Sequence, residues 1–272
     1  MEKKNANGLT EKEFLAQYNP GEYKRPSVTV DILVLGMNEK LDGLKVLLIR
    51  RKDHPFMDCW ALAGGFVEYD ESTYRAAVRE LYEETGLSDI YLEQLYTMSQ
   101  PERDPRMRVI DVAYIALIPI VEAHAGSDAS EAAWFDVSMT DKEMILKNET
   151  LGVFMKYSLE KKVFHNGILQ IENYVPRLQS EEALAFDHAE IVMEGLLRIR
   201  NKVEYTDIAF NLMPQEFTLP DLQKVYEILL GKTLYKTNFR DKIQDKVVAL
   251  DKKGISVTGG KKSLLYKYKN RY

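Results

Sequence analysis

Residues 27–35, SVTVDILVL, alternate apolar and polar side chains and then run apolar, the pattern of a strand with one face, then both, against a core. Asp42-Gly43 marks a turn, and Leu44–Ile49 repeats the strand pattern, so the two segments read as a hairpin. From Glu71 to Thr85 the period changes. The stretch is rich in Ala, Leu and Glu, holds no Gly or Pro, and ends at Gly86. These features predict a helix with a C-terminal glycine. Phe66, Tyr74, Ala77, Val78, Leu81 and Leu87 supply its apolar, core-directed side. Further strands are predicted at Ile90–Thr97, at Val109–Ile120 and around Trp134-Phe135, and hairpin-like alternation at Val163–Val175 turns at Asn166-Gly167. Ser138–Phe154 looks helical at its start. The sum is an α+β fold with helices laid on a sheet.

Near residue 181 the pattern shifts again. Glu182–Arg200 reads as one long helix. Thr218 is an N-cap with a proline at the second helical position, and the helix it starts ends at Gly231. A second helix candidate covers Thr237–Asp245. Val247–Leu250, a Lys-Lys-Gly turn, Ile255–Thr258, Gly259-Gly260 and Ser263–Tyr268 then form a basic ribbon. Helix, turn, helix and ribbon outline a winged helix-turn-helix. The chain of 272 residues thus divides into 1–180 and 181–272.

Charge sharpens that division. Residues 231–272 carry twelve Lys or Arg against three Asp, a balance of +9 in a chain whose net charge is −5, so the rest carries −14. An acidic body and a basic tail suggest two different partners, a cation-bridged phosphate compound and a polyanion. Asn238 and Arg240, at the start of the second tail helix, could read base edges, and Lys261 and Lys262 in the ribbon could contact phosphates. A basic packing module with no nucleic acid is the alternative. The single cysteine, Cys59, excludes an internal disulfide, and no apolar run approaches a membrane span. A cytoplasmic location and no membrane partner are the expectation.

The chemistry sits in the predicted helix. Gly65, Glu71, Arg79, Glu80, Glu83, Glu84 and Gly86 follow G-x5-E-x7-R-E-U-x-E-E-x-G-U without a departure. Glu80, Glu83 and Glu84 are spaced i, i+3, i+4 and share one helix face. Three crowded carboxylates become tolerable around a hard cation, and all-oxygen ligands suit Mg²⁺ or Mn²⁺. Arg79 could pair with Glu71 or another of the acids and fix their geometry. A solvated acidic face is the bland alternative.

The pattern resembles the Nudix box, the signature of enzymes that hydrolyse nucleoside diphosphates linked to another group. Trp60–Val67 (WALAGGFV) is similar to the corresponding stretch of Nudix ADP-ribose pyrophosphatases, with Ala63 in place of the usual proline. The tail resembles that of Nudix-related regulators of NAD metabolism, in which a winged helix binds operator DNA. The resemblance implies a Nudix α/β/α sandwich with a mixed sheet, followed by a C-terminal winged helix-turn-helix. It implies metal ligation by Glu80, Glu83, Glu84 and the Gly64 carbonyl, with Glu71 and Arg79 in support. Arg103, Arg106, Arg50 and Arg51 become candidates for the substrate's phosphates or ribose, and Glu131 for a distal base. ADP-ribose, cleaved to AMP and ribose 5-phosphate, is the implied substrate. Other diphosphates, such as dinucleoside polyphosphates or nucleotide sugars, stay open. A DNA-binding regulator that senses ADP-ribose is the alternative activity, and a homodimer the implied assembly.

Overall fold

The computed structural model describes residues 2–120 and 132–270. An N-terminal helix α1, Glu11–Gln17, is closed by a reciprocal Thr10–Glu13 capping box and buries none of its own residues. A large mixed sheet follows. Strand β1 (Ser27–Met37) pairs antiparallel with β2 (Leu44–Arg50) and parallel with β6 (Val109–Ile120), placing Asp31 deep in the sheet. Strand β5 (Tyr91–Met98) closes one edge against β6. On the other side β2 pairs with β7 (Ala132–Met139), followed in space by β8 (Glu143–Asn148), β9 (Val153–Asn166) and β10 (Leu169–Leu178). Two short strands complete it: β3 (Trp60–Ala61) pairs with β2, and β4 (Ala63–Phe66) lies antiparallel to β1 with Gly64 opposite Asp31.

The side-chain period of two in β1 decides the layers. Val30, Ile32 and Val34 pack with Ala76, Ala77 and Leu81 of helix α2 (Thr73–Thr85) on one face. Leu33, Leu35 and Met37 face the other side, where Ile191, Val192 and Ile199 of helix α3 (His188–Lys202) cover them. Helix, sheet and helix give the expected α/β/α sandwich. The approach of α3 is close: a Cβ on Gly195 would meet Leu33 Cδ2 at 2.1 Å.

The tail is a winged helix. Thr218 caps α4 (Leu219–Leu230), Pro220 sits in its first turn, and Gly231 ends it at φ 65°. Helix α5 (Lys236–Ile243) is anchored on α4 through Phe239, whose ring lies 5.3 Å from that of Tyr226. Strand β13 (Lys262–Tyr268) is flanked by β12 (Val247–Ile255) and by β11 (Phe217–Thr218). Asp221, buried at the start of α4, accepts hydrogen bonds from Thr218, Ser256 and Thr258, which ties the wing's turn to the helix.

Several expectations are corrected. Residues 138–154 hold no helix: they are the end of β7, all of β8 and the start of β9. The apolar positions Val137, Met144, Leu146 and Met155 all face the core from strands, because pairing with β2 and β9 overrides local helix preference. Helix α3 begins at His188, not at residue 182, since Leu184 bridges to Trp60 and the Ala185 N–H donates to the Trp60 carbonyl. Lys252-Lys253-Gly254 lies within β12, where a register shift between Ala249 and Lys253 absorbs the extra residues, and the turn falls at 256–261. Phe66, Tyr74 and Val78 are exposed rather than core; α2 turns Ala76, Ala77 and Leu81 to the sheet instead. Helix α3 packs on both the sheet and α4 within one continuous apolar cluster. Among the described residues, no helix is long and apolar enough to cross a membrane.

Candidate functional site

Ser72 caps α2 by accepting from the Arg75 N–H, and Gly86 closes it at φ 70°. Six residues separate β4 from α2, and the helix lays Glu80 over Gly65. The Glu80 carboxylate rests on Gly65, where an added Cβ would meet Oε1 at 2.2 Å. At Gly64 an added Cβ would meet the Val30 carbonyl oxygen at 2.2 Å and Asp31 Oδ1 at 2.6 Å. Gly64 excludes any side chain for reasons of space, not of φ, whereas a side chain at Gly65 would displace the Glu80 carboxylate.

Arg79 organises the acids. It donates to both Glu71 oxygens (2.7 and 3.3 Å), to Glu80 at 2.7 Å, to Glu83 at 3.2 Å and to the Phe66 carbonyl at 3.2 Å. The bonds to Glu71 and Glu80 hold the Arg79 proton more tightly than usual. The bond from Arg79, with that from the Glu68 N–H, keeps Glu71 below the usual carboxylate range. Glu80 and Glu84 go the other way. Both are half-buried; burial pushes them up, neighbouring acids add to it, and for Glu80 the pairing with Arg79 offsets only part. A pair of carboxylates that resists ionising beside Glu83 is a site short of positive charge. Among the described residues, though, no three Asp, Glu, His or Cys side chains are drawn together tightly enough to hold a metal ion. The Arg79 guanidinium bridges Glu80 and Glu83. The hard-oxygen donor set and the glycine cradle fit Mg²⁺ or Mn²⁺.

The four candidate arginines separate. Arg103 is buried, its side chain only 4% exposed, and makes a two-pronged pair with Asp187 (2.6 and 2.9 Å) and a 3.3 Å contact with Asp31. Burial works against its charge, but Asp187 and Asp31 outweigh it. Arg106 is pinned by Asp104 (2.8 and 3.1 Å) and lies over the Phe66 ring at 5.5 Å. Arg51 donates to the Pro55 carbonyl and lies 4.9 Å over Phe186, a ring that Arg106 also reaches at 6.0 Å. Burial, then the nearby Arg106, lowers the affinity of Arg51 for its proton. Two guanidiniums against one ring favour an anion. Arg50 turns instead to the Asp58 carbonyl and carboxylate. Glu131 lies outside the described residues.

Behind Gly64 lies a buried polar network that the sequence did not reveal. Asp31 meets Arg103 and His188 (3.4 Å), while His188 Nδ1 accepts the Leu62 N–H at 2.9 Å and so leaves the imidazole proton on Nε2, facing Asp31. Asp111, fully buried, accepts from Thr29. Burial and the adjacent Asp31 push Asp111 far up, whereas Asp31, despite burial, is held low by His188 and Arg103. The two buried carboxyls are thus pushed in opposite directions, Asp111 up and Asp31 down. One signal was available: each Asp interrupts an otherwise apolar strand. Nothing local pointed to Phe186, Asp187 or His188.

In the tail, Asn238 and Arg240 are exposed on α5, and Lys261 and Lys262 are exposed where β13 begins. These four share the winged-helix module, away from the glutamates.

The geometry has counterparts among known proteins. Residues 25–151 match the NUDIX domain and residues 209–268 the NrtR DNA-binding winged helix domain. The chain is 31% identical over 265 residues to an ADPR responsive transcriptional repressor, NtrR, of Acinetobacter baylyi, covering 96% of this chain and 90% of that one. It is 44% identical over 131 residues to an ADP-ribose pyrophosphatase of Methanocaldococcus jannaschii, covering 46% of this chain and 74% of that protein. The crystal structure of Shewanella oneidensis NrtR complexed with a 27mer DNA superposes with a TM-score of 0.65 at 28% identity, covering 89% of this chain and 93% of that one.

Proposed function

This chain belongs to the family that joins a Nudix domain to an NrtR-type winged helix, and on that premise we propose an ADP-ribose-responsive, DNA-binding regulator whose Nudix cleft also hydrolyses its ligand. The observation that carries the hydrolytic half is the complete set of Glu71, Arg79, Glu80, Glu83 and Glu84 folded over the Gly64-Gly65 cradle.

Glu80, Glu83, Glu84 and the Gly64 carbonyl would hold Mg²⁺ or Mn²⁺. That ion supplies charge neutralisation at the diphosphate and a more acidic water. Arg79 fixes Glu80 and Glu71 in the orientation the ion needs, with five donors in a rigid fork. Arg51 and Arg106, both close to the Phe186 ring, help to hold the diphosphate. Guanidinium pairs suit that group, and their partial burial strengthens each contact. Arg50 and Glu131 complete the set, the latter as a distal base. The products are AMP and ribose 5-phosphate.

The winged helix presents Asn238 and Arg240 to base edges and Lys261 and Lys262 to phosphates of duplex DNA, and the +9 balance of the tail supports that placement. Symmetric half-sites favour a homodimer. With one cysteine and DNA as partner, the protein works in the cytoplasm.

The test measures AMP and ribose 5-phosphate from ADP-ribose with Mg²⁺ or Mn²⁺, beside a Glu83→Gln, Glu84→Gln variant. Products formed only by the unmodified chain support hydrolysis. Binding without turnover leaves a sensor, and absence of binding removes ADP-ribose as the ligand.

A further inference from the structure

The role expected for Arg103 from the sequence is contact with the ligand's phosphates or ribose, yet its side chain is only 4% exposed and already paired. Asp187 takes two of its N–H groups at 2.6 and 2.9 Å. No ligand can reach Arg103 unless Asp187 gives way.

Asp187 is also the residue that precedes α3. It stands in the N-cap position, where a free aspartate accepts from the first exposed helix N–H groups. Among the described residues its side chain makes no such bond, because both oxygens face Arg103. One carboxylate therefore has two mutually exclusive partners, Arg103 or the α3 N-terminus. Just before it, Phe186 has φ 50°, a left-handed conformation that costs a bulky residue energy and is held here by contacts with Arg51, Phe56 and His188. The junction is built to move when those contacts change.

Both ends of a path are in place. At one end, the would-be Cβ of Gly64 touches Asp31, and Asp31 contacts Arg103, so the latch lies directly behind the glutamate cradle. At the other end α3 packs against α4, the first long helix of the winged module. Ile199 and Val203 share one apolar cluster with Leu222 and Val225. Between them is a rigid 15-residue helix, about 22 Å long.

We propose that Asp187 is a latch that competes with the ligand's diphosphate for Arg103, and that its release onto the α3 N-terminus carries ligand occupancy to the winged helix. This rests on the ADP-ribose reading above. Asp187 is a positioning residue that acts through Arg103. Removing its charge frees Arg103 for the ligand and leaves α3 in its ligand-bound setting. A residue of merely structural worth would do the opposite and weaken binding.

The experiment combines ADP-ribose titration without added metal with amide hydrogen exchange across the full chain. Asp187→Asn keeps the shape and a capping oxygen but not the charge. It is expected to bind ADP-ribose several-fold more tightly than the unmodified protein. Without ligand, its exchange in the first turn of α3 and in α4 should match that of the ligand-bound unmodified protein. Arg103→Gln, which also frees Asp187, is expected to give the same exchange pattern while binding ADP-ribose at least tenfold more weakly. Asp187→Ser, which can still cap the helix, replaces the first variant should that not fold. Equal or weaker ADP-ribose binding by the Asp187 variant, or an α4 indifferent to the substitution, overturns the latch. If the unmodified chain binds no ADP-ribose, the ligand reading fails. The ligand-free comparison of exchange in α4 still decides the latch.

Discussion

Two adjacent glycines should fail in opposite ways. In Gly64→Ala the new methyl meets backbone: the Val30 carbonyl oxygen at 2.2 Å and Asp31 Cα at 2.9 Å, with Asp31 Oδ1 at 2.6 Å. Real Cβ contacts stay above 3.0 Å, so β1 or β4 must retreat by nearly an ångström. Strand β1 is hydrogen-bonded to neighbours on both sides and cannot. Overpacking against immovable backbone costs about 3 kcal/mol, which for a chain of this size lowers Tm by roughly 6–12 °C. In Gly65→Ala the methyl meets only the end of the Glu80 side chain, at 2.2, 2.6 and 2.8 Å. Glu80 can rotate away at the loss of its 2.7 Å pair with Arg79, a cost of about 1 kcal/mol or less for a half-buried pair. The displaced carboxylate is the one the cation needs, so kcat/KM for ADP-ribose should fall by about 100-fold or more. Thermal melting and Mg²⁺-dependent hydrolysis, run on both variants, check this. A Gly64→Ala protein melting with the unmodified chain, or a fully active Gly65→Ala protein, would refute the steric account of the cradle.

Arg79→Lys keeps the charge but not the fork to Glu71, Glu80 and Phe66. Hydrolysis should fall by about 100-fold, and stability by about 1–2 kcal/mol in urea titration; unchanged turnover would mean that charge alone suffices. Asp111→Asn tests the buried carboxyl pair. Because the folded state raises the Asp111 pKa, stability is lost as pH climbs from the ordinary carboxylate range toward that raised value. Asn removes this dependence while still accepting from Thr29, so melting followed between about pH 5 and 8 should decline less with pH than in the unmodified chain. An equal or steeper decline refutes the upward shift of Asp111. For the tail, Lys261→Ala with Lys262→Ala should lower the slope of log affinity for duplex DNA against log salt by nearly 2, about 0.9 for each phosphate no longer neutralised. An unchanged slope places the DNA elsewhere.

The glutamate helix and its glycine stop were legible because they are local: i, i+3, i+4 spacing and a C-terminal glycine determine one face whatever surrounds them. The same holds for Thr218, Pro220 and Gly231 around α4, and for most strands, whose period of two survives without context. Residues 138–154 were not legible, because an apolar pattern of that length fits helix or strand until a neighbouring strand supplies its hydrogen bonds. Nor was the fate of the arginines. Sequence placed Arg103 and Arg106 in one polar loop with one expectation for both. Only the fold buries the first against Asp187, 84 positions away, and leaves the second over Phe66 and Phe186.

What the sequence determined by itself was the chemistry available: three clustered carboxylates, an arginine to orient them, a glycine pair, and a basic module downstream. What the tertiary structure decided was which groups are buried together. Desolvation and charge pairing act through space, so the Asp31–Asp111–Arg103–Asp187 network and its grip on α3 exist only once β1, β6 and the segment before α3 are packed together.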